Sequence, residues 1–381
     1  MRNICIVTGT RSEYGLLKPV IDKIISSGIL KLSLIVAGMH LSREFGYTAR
    51  DIENDGIRVD AKVIMNPEED TGLSMANAIG KGICGMAAAL NRIKPDIIVV
   101  LGDRIEALSA VVAGAFMNIP IAHIHGGDSA KAGLDESVRH AITKFAHIHF
   151  PATRKSAERI VKMGEDKWRI FCVGAPGLDT ILNKKLLDRK DLEKELGISL
   201  RGQVILLVQH PVTTEIENAE HDITETLEGV RNLGIKTIAI YPNSDAGGRK
   251  IIKKIKEYEK KGILKAYKSL SHKTYLSLLK HTSVMVGNSS SGIIESSSFG
   301  LPVVNIGIRQ EGRERAYNVI DTANDRESIR KSVNKALSQD FKKNICPCNN
   351  PYGDGKAAER ITKVLSEIRL DNKLIQKKLT Y

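Results

Sequence analysis

Aromatic side chains are scarce: Phe, Tyr and Trp make up 4% of the 381 residues, with a single Trp. That shortage argues against a stacking platform for single-stranded nucleic acid. Long apolar runs are also missing. Runs such as Asp96–Leu101 have the length of one buried strand, well short of a membrane span. The chain opens Met-Arg-Asn and passes straight into a strand-like run, without the architecture of a signal peptide, so a cytoplasmic protein is expected. Cysteine is limited to Cys5, Cys84, Cys172, Cys346 and Cys348, an odd number that favours reduced structural thiols over a disulfide framework. Cys346 and Cys348 form a C-x-C with no second pair to complete a zinc site, and no H-E-x-x-H spacing occurs, so no metal is expected.

What the chain has in excess is positive charge, 57 Lys and Arg against 44 Asp and Glu, a formal net charge of +13. The basic residues are dispersed. Clusters such as Lys253–Lys256 and Lys260–Lys261 have helical, solvent-facing spacing, which fits a charged surface able to draw in a small anion. A chain of this length is too long for one ordinary core and suits two domains.

Apolar strand-like runs alternate with amphipathic helical stretches. Asn3–Thr8, Leu32–Ala37, Asp96–Leu101, Pro120–His125 and His147–Phe150 read as buried strands, separated by helical stretches at Leu16–Ser27, Leu73–Ile93, Glu106–Asn118 and Glu136–Phe145. The pattern then repeats, with strands at Gln203–Val208, Thr237–Tyr241, Leu264–Tyr267, Ser283–Val286 and Pro302–Ile306. Such alternation implies parallel sheets covered on both faces. The expectation is an α/β protein of two doubly wound, Rossmann-like domains facing across a cleft, with ligands at the carboxyl ends of the strands. Order loosens through the charged stretch after Gly174–Pro176, which sets the expected boundary. Residues 1–174 form the first domain, 175–355 the second, and 356–381 return to the first.

The chemistry-bearing motifs each follow a strand. Gly9-Thr10-Arg11-Ser12-Glu13-Tyr14-Gly15 is a glycine turn entering a helix; it could hold phosphate on backbone N–H groups, with Arg11 as cation, or be a plain strand–helix turn. Gly102-Asp103-Arg104 ends the next motif-bearing strand. His123-Ile124-His125-Gly126-Gly127-Asp128 and Leu134-Asp135-Glu136-Ser137-Val138-Arg139-His140 then crowd two strand histidines, acidic residues and an arginine together. Alternation should put His123 and His125 on one side of their strand, and the glycines should free the backbone to approach a ligand. Glu136 and His140 stand at i, i+4. Asp103, His125, Asp128 and Asp135 would gather from two strand ends, a cluster able to supply both an acid and a base. In the second half, His210 ends one strand and Asn243 follows another. Gly287-Asn288-Ser289-Ser290-Ser291-Gly292 opens a helix carrying Glu295, and Arg309 and Arg313 come after the next strand. Serines and glycine at a helix N-terminus suit a diphosphate, and Glu295 could take the hydroxyls of a ribose.

Taken in order, TGTRSEYG, GDRIEAL, HIHGGDSAKAGLDESVRHAITK, QHPVTTE, YPNSDAG, GNSSSGIIES and NIGIRQEGRE resemble the UDP-N-acetylglucosamine 2-epimerase family in its hydrolysing branch, from Gly9 to about Gly355. The non-hydrolysing branch reads H-V-E-A-G-L-R where this chain reads GGD-x6-DESVRH. The resemblance implies the GT-B architecture, UDP held mainly by the C-terminal domain, no cofactor, and a homodimer or homotetramer with no nucleic-acid or membrane partner. It implies UDP contacts at Arg11, Arg104, His210, Asn243, Ser289, Ser290, Glu295 and Arg309. The family's acid–base carboxylates map to Asp103 and Asp135, while His125 and Asp128 stand where animal-type and many other members, respectively, have Glu. The implied reaction takes UDP-N-acetylglucosamine and water to N-acetylmannosamine and UDP, by anti elimination to 2-acetamidoglucal and hydration, feeding sialic-acid-type sugar synthesis. The alternative substrate is UDP-N,N'-diacetylbacillosamine. More distant readings are a GT-B glycosyltransferase and a nucleotide-sugar sensor.

Overall fold

A computed structural model describes residues 1–130, 134–345, 350–378 and 380; Cys346 and Cys348 lie outside the described residues. The chain divides into two compact units, the first made of Met1–Ser129, Leu134–Asn183 and Tyr352–Tyr381 and the second built on Lys184–Pro351.

The sheet of the first unit comprises β1 (Arg2–Thr8), β2 (Leu30–Ala37), β3 (Ala61–Val63), β4 (Ile97–Leu101), β5 (Ile121–Ile124) and β6 (Ile148–Phe150), in the order β3-β2-β1-β4-β5-β6. The second unit carries β7 (Val204–Val208), β8 (Lys236–Ile240), β9 (Leu264–Tyr267), β10 (Val284–Gly287), β11 (Val303–Ile306) and β12 (Val319–Thr322), in the order β12-β11-β10-β7-β8-β9. Every pairing is parallel, so each connection must cross over through a helix or loop. Both units are therefore doubly wound, as expected. Strand order reverses between β1 and β4 in one and between β7 and β10 in the other, which marks the crevice at the strand C-termini of each.

The central strands IIVVL and VILLV are buried at every position because helices cover both faces. The edge strands β3 and β12 were not expected. AKV and VIDT are too short and too polar to announce themselves, and pairing with β2 and β11 makes them strands. The charged stretch after Pro176 also holds more order than its composition promised. Asp188 caps a helix, Arg189–Leu196, and Gly197 closes it at φ +67°.

The boundary expected at Gly174–Pro176 lies later, after Asn183. The helix Gly177–Asn183 stays with the first unit because the Asp179 carboxylate accepts from Ala357 N and Ala358 N at 3.0 and 2.8 Å. It thereby caps the returning helix Ala357–Glu367, which lies against Arg11–Ser26. One described helix, Gly72–Ile93, is long and apolar enough by composition to cross a bilayer, although its sequence shows no continuous apolar run. It lies along Ile105–Phe116 and sinks Ala78, Met86 and Leu90 into the core of the first unit. Among the described residues, Cys5, Cys84 and Cys172 form no disulfide.

Candidate functional site

At the end of β1, Thr10 caps the helix Arg11–Ser26 by accepting from Glu13 N at 3.2 Å. Glu13 reaches back, and its Oε2 accepts from Gly9 N at 2.6 Å, one residue earlier than in a standard capping box. Of the two readings of this turn, the bonding at Gly9 is that of a plain capped strand–helix turn, its amide taken by the chain's own carboxyl. Arg11 pairs through Nε with Asp51 at 2.8 Å, and Arg104 donates from Nε to Glu106 Oε2 at 3.2 Å. Burial, with the Glu106 carboxylate as a second cause, pushes the Glu13 pKa up to about 8. The stability that this group contributes is full below its ordinary value near 4.5 and is lost as pH rises through about 8. Glu13→Gln keeps an acceptor for Gly9 N without that dependence. The variant should gain stability relative to wild type between about pH 5 and about pH 8, as measured by chemical denaturation; parallel curves would show that Glu13 does not titrate there.

At the end of β5 the two histidines part. His123 is fully buried, its Nε2 lies 2.7 Å from the Gly102 carbonyl and its Nδ1 3.2 Å from the Thr143 hydroxyl. Burial lowers its pKa to about 3, so it stays neutral and donates from Nε2 to Gly102 O. Strand alternation does not carry through to His125, because β5 ends at Ile124 and His125 takes φ +63°. A left-handed conformation is uncommon outside Gly and marks a position that its surroundings impose. His125 Nδ1 lies 3.1 Å from Asp128 Oδ2, and Asp128 Oδ1 accepts from the Ser156 hydroxyl at 2.8 Å. With the proton on Nδ1 toward Asp128, Nε2 is the basic nitrogen. Gly127 serves the protein itself more than a ligand: at φ +73°, a Cβ there would sit 2.3 Å from the Ser156 carbonyl.

Arg139, 1% exposed, joins these residues to the next helix, Leu134–Phe145. Its guanidinium donates to Asp103 Oδ2, to Glu136 Oε2 at 3.2 Å and to the Asp128 carbonyl at 3.3 Å. Glu136 Oε1 also accepts from Ser129 at 3.0 Å and lies 3.1 Å from His140 Nε2, the expected i, i+4 pair. Asp103, His125 and Asp128 are thus brought into one bonded cluster. Asp135 sits half-buried in the first turn of the same helix. Among the described residues no group of His, Cys, Asp and Glu side chains is placed to hold a metal ion.

In the second unit, Asn288 ties the ends of β7 and β10 together. His210 N donates to Asn288 Oδ1 at 2.7 Å, and Asn288 Nδ2 donates to His210 O at 2.9 Å. Gly287 permits this approach, since at φ +131° a Cβ would lie 2.1 Å from Val208 O. His210 Nδ1 meets Asn243 Oδ1 at 3.0 Å, while Arg309 and Gln310 donate to Asn288 O at 3.2 and 2.9 Å. The helix expected to carry Glu295 is split. One turn, Ser291–Ile294, gives way at Glu295 to a 3-10 turn, Ser296–Phe299, so little helix dipole backs the serines. Ser289 and Ser291 lie within 3.3 Å, Tyr275 binds the Ser291 hydroxyl, and Glu295 is buried 4.0 Å from His272 Nε2.

Sequence reasoning missed the roles of Arg139, Ser156, Asn288, Gln310 and Tyr275. Arg139 left a signal in its i, i+3 spacing from Glu136. Ser156 left none, because it arrives from a helix, Arg154–Lys162, that was not expected.

A family model described as UDP-N-acetylglucosamine 2-epimerase matches residues 22–366. A UDP-N,N'-diacetylbacillosamine 2-epimerase (hydrolyzing) of Legionella pneumophila is 37% identical over 99% of both chains. A GDP/UDP-N,N'-diacetylbacillosamine 2-epimerase (hydrolyzing) of Campylobacter jejuni is 35% identical over 97% of both. Among solved structures, UDP-GlcNAc 2-epimerase from Neisseria meningitidis bound to UDP-GlcNAc aligns with a TM-score of 0.77, covering 96% of this chain and 99% of that one at 19% identity, a likeness of fold. The chain belongs to the UDP-N-acetylglucosamine 2-epimerase family.

Proposed function

We propose that the protein is a hydrolysing 2-epimerase that takes UDP-N,N'-diacetylbacillosamine and water to UDP and the 2-epimeric, manno-configured 2,4-diacetamido-2,4,6-trideoxy sugar. The observation that carries this is the near-full-length identity to two hydrolysing enzymes named for that substrate. It favours the diacetamido alternative over UDP-N-acetylglucosamine, the first expectation from the motifs.

The C2 proton of such a sugar is not acidic, so its removal is coupled to cleavage of the C1–O bond. His125, oriented through Nδ1 by Asp128, takes the proton on Nε2 as the electron pair forms the C1=C2 double bond and UDP leaves. Water then adds its oxygen to C1 of the glycal, and C2 is reprotonated on the opposite face. Asp103 and Asp135 supply the acid and base for that second step. Arg11, Arg104, His210, Asn243, Ser289, Ser290 and Arg309 receive the departing diphosphate and uridine, with Glu295 on the ribose. The negative charge released on the diphosphate is the largest change in the reaction, and fixed cations and N–H groups stabilise it most.

Isotopes test this. In D₂O, UDP-N,N'-diacetylbacillosamine should yield free UDP and a manno sugar carrying deuterium at C2; in H₂¹⁸O the heavy oxygen should appear at C1. A UDP-linked epimer without free UDP would mean a non-hydrolysing enzyme. Unlabelled sugar of unchanged configuration would mean a simple hydrolase, and UDP release only with an added acceptor would mean a glycosyltransferase. Higher kcat/KM for UDP-N-acetylglucosamine would return the substrate to the first expectation.

A further inference from the structure

The C-terminal segment grips the end of the helix Leu134–Phe145 opposite to its acidic first turn. Asp371 caps a short turn by accepting from Leu374 N at 3.0 Å, and Leu374 is wholly buried in the same core as Ile148 and Phe150. Arg169, 2% exposed, donates to Leu374 O and Lys373 O at 2.7 and 2.6 Å, and to His147 O at 3.2 Å. This anchoring delivers Lys377. Its ammonium donates to Lys144 O and Ala146 O, both at 2.6 Å, and pairs with Glu165 Oε2 at 2.8 Å. All three of its donors are spent.

The two carbonyls close the C-terminus of the helix, where the last C=O groups have no partner within the helix and a cation is favoured. Glu165, 2% exposed, also accepts from Lys144 at 2.6 Å and lies 3.2 Å from His149 Nε2. The helix is thus pinned at its end by Lys377 and at its middle by the Arg139 contacts to Asp103 and Asp128. A helix of this length moves as a rod about 18 Å long, so its register at one end sets the placing of side chains at the other.

We propose that Lys377 is a positioning residue, which holds the helix Leu134–Phe145 in the register that presents Asp135 to the reacting sugar and sets Arg139 against Asp103. The proposal rests on the hydrolysing-epimerase reading above. In Lys377→Met, which keeps the stem and removes the donors, kcat for UDP release should fall at least about tenfold, within the range that a small misplacement of reacting groups costs. KM and the calorimetric affinity for UDP should stay within about twofold, because most UDP contacts are assigned to the second unit. Hydrogen exchange should quicken in the peptide spanning 134–145. Lys377→Arg, which retains charge and donors, should recover most of the loss, and Lys378→Met, at an exposed neighbour, should change nothing.

An unchanged kcat in Lys377→Met overturns the proposal, as does a loss no larger than the drop in folded fraction. Should Lys377→Met not fold, Lys377→Arg carries the test: wild-type exchange and at least half the wild-type kcat support the role, and a kcat loss with wild-type exchange overturns it. If wild type releases UDP from neither sugar, the reaction reading fails. Exchange in 134–145 then decides the strap alone, with faster exchange supporting it and identical exchange overturning it.

Discussion

His125→Asn should lower kcat by about 10²–10⁴-fold, the scale of a lost general base, while UDP affinity is unchanged. Asn is the informative replacement. It tolerates the φ of +63° that His125 adopts, so the turn after β5 keeps its backbone, and its amide cannot take a proton. A bulkier or β-branched residue would confound lost chemistry with strain. Asp128→Asn should follow in the same direction. Asp128 accepts from His125 on one oxygen and from Ser156 on the other, so it fixes both the tautomer and the angle of the ring. Stopped assays of UDP release, with calorimetry of UDP on the same preparations, check both. If His125→Asn turned over within tenfold of wild type, the base would have to be sought among Asp103 and Asp135.

The central strands and the positions of the motifs were legible in the sequence for one physical reason. A strand covered on both faces must be apolar throughout, so IIVVL and VILLV can hardly be anything else. Parallel pairing then forces every loop at the carboxyl edge to follow a strand, which is why Asp103, His125, His210 and Asn243 could be placed from sequence. The short edge strands AKV and VIDT carry no such mark, since their order comes from a neighbour. The local geometry of the site was least legible. The strand stops at Ile124 and His125 takes a positive φ, so the alternation that was used to orient it does not apply. Glu13 fills the Gly9 amide that looked ready for phosphate, and nothing in TGTRSE separates a self-capped turn from a ligand cradle. Asp179, hidden in an ordinary-looking stretch, moves the boundary by capping a helix far along the chain.

Arg139→Met should cost about 1–3 kcal/mol of stability, the usual penalty for removing one partner of hydrogen bonds to a charged group. Arg139 is 1% exposed and its guanidinium faces Asp103 and Glu136, so its removal takes the bonded cation from two partly exposed carboxylates. Asp103→Asn alone leaves the opposite fault, a buried guanidinium missing its strongest partner. The double variant Arg139→Met/Asp103→Asn removes both charges together. Its loss should fall short of the sum of the single losses by about 1–3 kcal/mol, the coupling expected of groups in direct contact. Turnover should behave differently. Arg139→Met should lower kcat by about 10²-fold in the folded fraction, because Asp103 loses the fork that aims it. The double variant, though more stable than additivity allows, should recover no activity, since it also lacks the Asp103 carboxylate. Urea melts of the three variants and wild type measure the coupling, and UDP release measures the chemistry. Strictly additive stabilities would show that Arg139 and Asp103 do not act as a pair, and a double variant more active than Arg139→Met would remove Asp103 from the proton-transfer steps.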